Sequence, residues 1–398
     1  MSPDTCNKKS LWLSEGGFSL VEMIVVMAIF MVIIIISSEA FNKIVSVSTL
    51  QTKSSESDTQ GIIGLEMLRI DLEHAGYGLP WLLNFTADFD EVQASVGLMA
   101  PGIDSEQFND IHNSTETNKT PRAIQAAAST TDGRDYIAIK SILAGMNDTV
   151  KRWTYVEGFG ITSALKVWGV NNFVTNEKVI TIDSRTKRLV SGTNHTPATN
   201  FFYAIPNTTP QVPPDTPVDF RPQNDLDVYV VYGVADKDTA SLRAPYNRVD
   251  YFVKRPTTAS DIPTRCAPGT GILYKGVMKH ANGALNPPYP LLECVADMQV
   301  VFSLDTNGDG GVDAHVPENG LLGLTAKQIR DQLKEVRVYI AAHEGGKDTS
   351  FQYPSPTLVV GEYSAGRTLD LNAVVGSEYK NYRWKVYKLV VTPRNINY

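Results

Sequence analysis

An α+β fold is predicted for this chain of 398 residues, and three observations predict it. One is an apolar run from Phe18 to Ile36, followed by a segment that stays free of proline as far as Leu79. Another is a series of short segments beyond Pro80 that alternate apolar and polar residues and favour Val, Ile and Tyr. The third is composition: 42% hydrophobic, 9% aromatic and 20% charged residues, with 22 prolines and 29 glycines, exclude a disordered or low-complexity chain. With 36 Lys plus Arg against 43 Asp plus Glu, the net charge is −7 and no basic run is present, so nucleic acid is not expected as the main partner.

The first element is a long helix. Between Phe18 and Ile36 only Ser19 and Glu22 are polar, and a helix of that length rises about 28 Å, close to the thickness of a bilayer core. Lys8 and Lys9 precede it, which by the positive-inside bias places the first residues in the cytoplasm and the remainder outside. After Ile36 the pattern turns amphipathic: Phe41, Ile44 and Val47, then Ile62, Leu65, Leu68, Leu72 and Ala75 recur at three- and four-residue steps. The helix is expected to end near Gly76, and the polar stretch from Gln51 to Gln60 is the candidate place for a break. Two bland readings compete for the apolar half. It is long for a secretory leader, although Ser38-Glu39-Ala40 offers a small-x-small cleavage site. As a plain anchor it leaves Glu22 unexplained, because an ionisable group in hydrocarbon costs about 2.5 to 3.5 kcal/mol.

Strands follow. They are predicted at Asp135 to Ile142, Lys178 to Asp183, Asp227 to Gly233 and Arg248 to Lys254. Later ones are predicted at Gly271 to Met278, Val295 to Leu304, Val336 to Ala342 and Trp384 to Thr392, together an antiparallel sheet. A short helix from Ala326 to Leu333 is announced by the capping-box pair Thr325 and Gln328. The proline-rich segment Pro206 to Pro222 is expected to be a loop or linker, and Thr86 to Ala128 an irregular stretch.

Gly16-Gly17-Phe18-Ser19-Leu20-Val21-Glu22 resembles the type IV prepilin signal. That resemblance implies a prepilin peptidase that cuts between Gly17 and Phe18 and methylates the new Phe18 amine. It also implies that Glu22 pairs with such an amine as subunits join a filament, so that two charges costly in lipid offset one another. Later blocks are similar to the minor pilins called PilW, which belong with the J pseudopilins of type II secretion. These are Met67 to Gly78, Cys294 to Val300 running into Asp305, Glu335 to Tyr339, and Lys388 to Asn395. Residues of about 86 to 290 match no family pattern. Many major pilins carry a helix-loosening proline where this chain has Glu39, and Pro393 stands where another strand residue is expected. The implied organisation is a leader over 1–17, a transmembrane and filament-core half over 18–36, an amphipathic half over 37–76 packing on the head, and an exported β-rich head over 77–398. This is a type IV pilin-like α+β fold with large loop insertions.

Of three cysteines, Cys6 leaves with such a leader. Cys266 and Cys294 remain, and an even pair in a chain exported to an oxidising compartment is expected to be bridged, with two buried thiols as the alternative. Asp305, Asn307, Asp309, the Gly311 carbonyl and Asp313 occupy loop positions 1, 3, 5, 7 and 9 of a calcium-loop pattern, with Gly310 at the turn. Position 12 holds Val316 instead of a bidentate Glu, and Glu318 lies two residues late, so a bare Asn/Asp/Gly turn is the competing reading. Calcium is the expected cofactor, in a structural role.

No H-E-x-x-H, G-x-S-x-G, Walker A or G-x-G-x-x-G pattern occurs, and the serine of Gly361 to Gly366 stands one place too late for a nucleophile elbow. His315 near Asp313 reads as a solvent-facing histidine. A non-enzymatic role is expected. The resemblance implies a minor pilin that primes or caps a pilus, with other minor and major pilins as partners. Its location would be the inner membrane before assembly and the cell surface after it. A J pseudopilin, or a calcium-dependent secreted enzyme or adhesin cut after Ala40, are the alternatives.

Overall fold

The computed structural model describes residues 19–83, 89, 91–93, 100, 102–110, 120–191, 201–216, 218–258, 261–285 and 288–396, without the side chains of 46, 47, 50, 51 and 53–60. The chain divides into two compact units, one ending at Lys53 and the other Ser54–Tyr398. Helix α1, Leu20–Glu73, contributes to both, and the polar stretch 51–60 does not break it.

In the first unit, every described side chain between Ser19 and Val45 is exposed. In the second, the last turns of α1 lie against a sheet. Here the expected buried stripe is only partly found. Leu68, Leu72 and Ala75 are fully buried, whereas Phe41, Ile44 and Ile62 are 66%, 66% and 64% exposed. The side chain of Val47 lies outside the described residues. The reason is that close packing starts at two glycines. A Cβ at Gly64 would stand 2.5 Å from the Leu291 carbonyl oxygen, and one at Gly61 would stand 3.0 Å from Leu292 Cδ1. Past Glu73 the chain turns at Gly76, whose φ of +83° suits glycine and whose N–H donates to the Lys140 carbonyl.

Strands β1 (Ile124–Ala128), β2 (Asp135–Ser141), β3 (Trp153–Glu157), β4 (Ala164–Leu165) and β5 (Lys178–Asp183) come first. They are followed by β6 (Phe202–Ala204), β7 (Tyr229–Ala235), β8 (Asn247–Lys254), β9 (Gly271–Val277) and β10 (Tyr289–Leu304). After β11 (Ala314–Pro317) comes helix α2 (Ala326–Gln332), whose capping box joins Thr325 and Gln328 as expected. β12 (Leu333–Glu344), β13 (Thr357–Val360) and β14 (Arg367–Asp370) precede helix α3 (Leu371–Val375) and β15 (Arg383–Val391). The main sheet runs β1-β2-β8-β9-β10-β12-β15, with β11 paired to β10, and is antiparallel. A smaller antiparallel sheet runs β4-β3-β7-β5-β6, and β13-β14 form a hairpin.

Both faces of the main sheet are covered. Val336, Val338 and Ile340 of β12 join Leu68 and Leu72 of α1 in one core, while the alternate residues Tyr339 and Ala341 join Leu371, Tyr382 and Trp384 in another. One expectation is corrected: the stretch Thr86 to Ala128 contains β1. Of the two readings expected for Pro206 to Pro222, loop or linker, the described residues take the first, a loop of the second unit that buries Val218 and Phe220 against the small sheet.

Charged side chains on β2 and β8 are buried as well. Lys140 Nζ lies 2.8 Å from Glu91 Oε2 and also contacts Asp110. Arg122 Nε lies 2.7 Å from Asp110 Oδ1, and Arg248 grips Asp250 with two N–H groups at 2.8 and 2.7 Å. Glu91 and Asp110 come from the irregular segment before β1, so these ions clamp that segment onto the sheet with every charge partnered.

Candidate assembly site

Among the described residues, none covers the side chains of the apolar half of α1. Leu20–Val45 is long and apolar enough to cross a membrane, and it is not buried. A helix apolar all round satisfies its own backbone groups but leaves its side chains for lipid or for other helices. Glu22 is the only charged residue between Leu20 and Ser38. Its carboxylate Oε2 accepts the Ser19 backbone N–H at 3.3 Å, a contact in the first turn that suits the positive end of the helix dipole. The expected cleavage and methylation residues Gly17 and Phe18 lie outside the described residues.

The other expected sites fall in the head. Cys266 and Cys294 are brought together as a disulfide with Cα atoms 4.8 Å apart, tying the segment before β9 to β10. The acidic loop is organised by its own backbone. Asp305 Oδ1 accepts from the Gly308 amide at 2.6 Å and Oδ2 from the Gly310 amide at 2.9 Å, with Lys334 Nζ 3.2 Å from Oδ2. Asp309 Oδ1 takes the Gly311 amide, Asn307 Oδ1 takes the Asp309 amide, and Asp313 takes the Thr306 and Asn307 amides. Among the described residues no three His, Cys, Asp or Glu side chains stand together in a way that could hold a metal ion. The expected ligands therefore share a loop, but their carboxylates are turned to amide donors and to Lys334.

His315 is not the solvent-facing residue expected. Its Nδ1 lies 3.0 Å from Ser303 Oγ, and its ring stacks on Tyr363 at 3.5 Å. The pair resembles a nucleophile and base only in distance: Ser303 is fully buried in β10, and its Oγ also takes the Arg337 Nε–H.

Sequence reasoning missed the groups that hold α1 to the sheet. Lys275 Nζ of β9 lies 2.5 Å from Asp71 Oδ2, and the Tyr251 hydroxyl of β8 donates to the same oxygen. Burial and the Asp71 carboxylate hold the Tyr251 phenol well above its ordinary pKa, so it remains a donor. At the end of α1, the Glu73 carbonyl accepts from the Arg394 amide at 2.9 Å, and the Glu73 carboxylate pairs with Arg394 and Arg69. The signal for the first anchor was an acidic residue, Asp71, three residues past Leu68 and directly before Leu72 on the buried stripe.

Residues 12–38 match the family model of the prokaryotic N-terminal methylation motif. No curated protein and no solved structure matches the chain. That motif, running into an apolar helix that leads to a largely antiparallel sheet, supports a type IV pilin-like protein and points to a structural role.

Proposed function

We propose that this chain is a minor pilin of the PilW kind, joining other minor pilins to prime or cap a type IV pilus. The observation that carries the reading is the methylation motif continuing into a helix whose apolar side chains are exposed among the described residues. On this reading a prepilin peptidase cuts after Gly17 and methylates Phe18. The apolar half then waits in the inner membrane with the head outside the cytoplasm. In the fibre it packs among other pilin helices, with Glu22 facing an amine of the Phe18 type. The PilW assignment is supported by the blocks Met67 to Gly78 and Glu335 to Tyr339, which form the end of α1 and the start of β12. A head of this size suits an initiating or terminal position better than a repeating shaft.

Intact mass of the mature chain tests the first step. A chain starting at N-methylated Phe18 is expected, and one starting at Phe41 overturns the reading in favour of a secreted enzyme or adhesin. Deleting the gene separates the two assembly systems: lost pili support the pilus role, whereas blocked export of enzymes with intact pili assigns a J pseudopilin. A structural calcium ion at Asp305 to Asp313 belongs to the same proposal, supported by the ligand spacing and opposed by the ion pair with Lys334. Calcium is expected to raise the melting temperature of the intact protein, and D309A to abolish that rise. An unchanged melting curve removes the ion.

A further inference from the structure

The head contains a cavity of about 340 Å³ between the turn after α1 and the small sheet, a volume at the low end of small-ligand sites. Tyr77, Trp81, Tyr232, Ser184 and Lys187 line it, and no carboxylate does. Neither Lys187 Nζ nor the hydroxyls of Tyr77, Tyr232 and Ser184 have a hydrogen bond or ion pair to another described residue. Burial raises both phenols, Tyr232 to about 12, so both remain protonated donors. The main chain of the walls is already satisfied: the Trp81 amide donates to the Lys187 carbonyl and the Ser184 amide to the Val228 carbonyl. What enters the cavity therefore meets aromatic faces and side-chain donors, not a free strand edge.

Beside the cavity the same face of the small sheet carries further aromatic rings. Tyr232 meets Tyr77 edge-on, with ring centroids 5.7 Å apart. Across the β3–β7 register Trp153 stands opposite Tyr232, which places the two side chains on one face of the small sheet. Trp153 lies 5.5 Å from Trp168, whose ring is oriented by its Nε1–H donating to the Trp153 carbonyl at 3.2 Å. Both tryptophans are nearly half exposed, at 46% and 45%. One face of the small sheet thus carries an exposed tryptophan pair across the strand register from Tyr232, which lines a small cavity rich in donors.

We propose that the cavity and the tryptophan pair beside it bind a glycan, with one sugar ring seated in the cavity against the Tyr77 and Tyr232 pair and further rings lying along Trp153 and Trp168. The C–H face of a pyranose carries slight positive charge, which complements the negative face of an aromatic ring. Its hydroxyl oxygens accept from the Tyr77 and Tyr232 phenols and from Ser184, and Lys187 suits a sugar carboxylate. A linear saccharide fits a row of rings set at cross-strand spacing, whereas a peptide adding a strand has no edge to pair with inside the cavity.

The test uses the full chain with its disulfide intact, in a detergent without a sugar headgroup. Tryptophan fluorescence and calorimetry are followed while chitotetraose, as the neutral probe, or tetragalacturonate, as the acidic one, is added. Binding of either probe is expected, weakened about tenfold by W168A, a change at an exposed side chain that leaves the melting temperature in place. K187Q is expected to weaken tetragalacturonate alone if the acidic sugar is the ligand, and neither probe if the neutral one is. Absence of binding by both probes at about 10 mM, or binding that W168A leaves unchanged, overturns the proposal. Self-association that W168A abolishes, with no saccharide bound, also overturns it and assigns the face to a protein partner. None of these outcomes depends on the pilin reading.

Discussion

Lys275 of β9 and Asp71 of α1 form a buried ion pair, Nζ to Oδ2 at 2.5 Å, that locks the end of the helix to the main sheet. Both residues are buried, and the Tyr251 hydroxyl completes the acceptor. Removing one partner leaves a charge in a place water does not reach. Asp71→Ala is therefore expected to destabilise the head by about 3 to 5 kcal/mol, and the double change Asp71→Leu with Lys275→Met to recover most of that loss. Urea unfolding of the three proteins checks it: a double variant as unstable as the single one means the pair contributes more than charge balance.

The two glycines of α1 make a paired prediction. At Gly64 the obstacle is the Leu291 backbone, which cannot step aside, whereas at Gly61 it is the tip of the Leu292 side chain, which can turn. Gly64→Ala is expected to cost about 1 to 3 kcal/mol through displacement of the helix, with Gly61→Ala close to neutral as better helix propensity offsets a small adjustment. Equal melting temperatures for the two variants would contradict the close approach.

Much of this architecture was legible in the sequence, and the gaps have physical causes. The eight strands expected from alternation are all present, with ends shifted by a few residues. The largest shift is in β10, which starts at Tyr289 and not at Val295. Register breaks on either side of Leu292 and a positive φ at Cys294 destroy the period of two there, so the pattern is readable only past the bulge. β4 and β6, of two and three residues, are too short to show a period, and the alanine-rich β1 has a single branched residue, Ile124, to mark it as a strand. The burial of Lys140 has no local signal, because its partners Glu91 and Asp110 are distant in sequence. The methylation motif is local, and so it was readable in full. The cavity joins residues from 76 to 395, and no local pattern announces it.

Two buried histidines make the head acid-sensitive. His280 Nδ1 accepts the Arg243 amide at 3.2 Å while Nε2 meets Asn247 Oδ1 at 3.1 Å, and His343 Nε2 accepts the Ala267 amide at 2.8 Å. Protonation would turn each accepting nitrogen into a donor facing a donor. Burial lowers both to about 4, helped by the Arg243 charge at His280 and by Arg265 at His343. The unfolded chain, at about 6.5, binds more protons than the folded one between those values, so stability rises with pH across the window. The contribution is complete above about pH 6.5 and is lost as pH falls towards 4, about 3 kcal/mol for each ring. Denaturant midpoints measured from pH 7 to 4 should fall, and fall less in His280→Gln if the ring is the cause.

The disulfide stands next to one of these rings, since Ala267, whose amide His343 accepts, follows Cys266. The bridged residues are 28 apart, and closing such a loop contributes about 3 to 4 kcal/mol in the chain-entropy model. Reduction, or Cys266→Ser with Cys294→Ser, is expected to lower the denaturant midpoint accordingly. Loss of pilus assembly without loss of stability would show instead that the bridge serves a partner.

Glu22 carries the last prediction. Among the described residues its carboxylate has one hydrogen bond, from the Ser19 amide at 3.3 Å, on a helix otherwise free of charge until Glu39. An acid so placed costs about 2.5 to 3.5 kcal/mol in hydrocarbon, and one amide at that distance does not offset it. On the proposed function, the missing compensation comes from an amine on a neighbouring subunit, so the charge acts in docking and not in folding. Glu22→Gln keeps the size and the amide contact but removes the charge. It should therefore leave the head's melting temperature and the processed mass unchanged while lowering the amount recovered in sheared filaments about a hundredfold. Glu22→Asp, which keeps the charge on a shorter stem, should restore part of it. If Glu22→Gln enters filaments like the parent chain, the charge has no part in assembly. If it is not cleaved at all, the carboxylate is read by the peptidase, and the docking role fails on that ground.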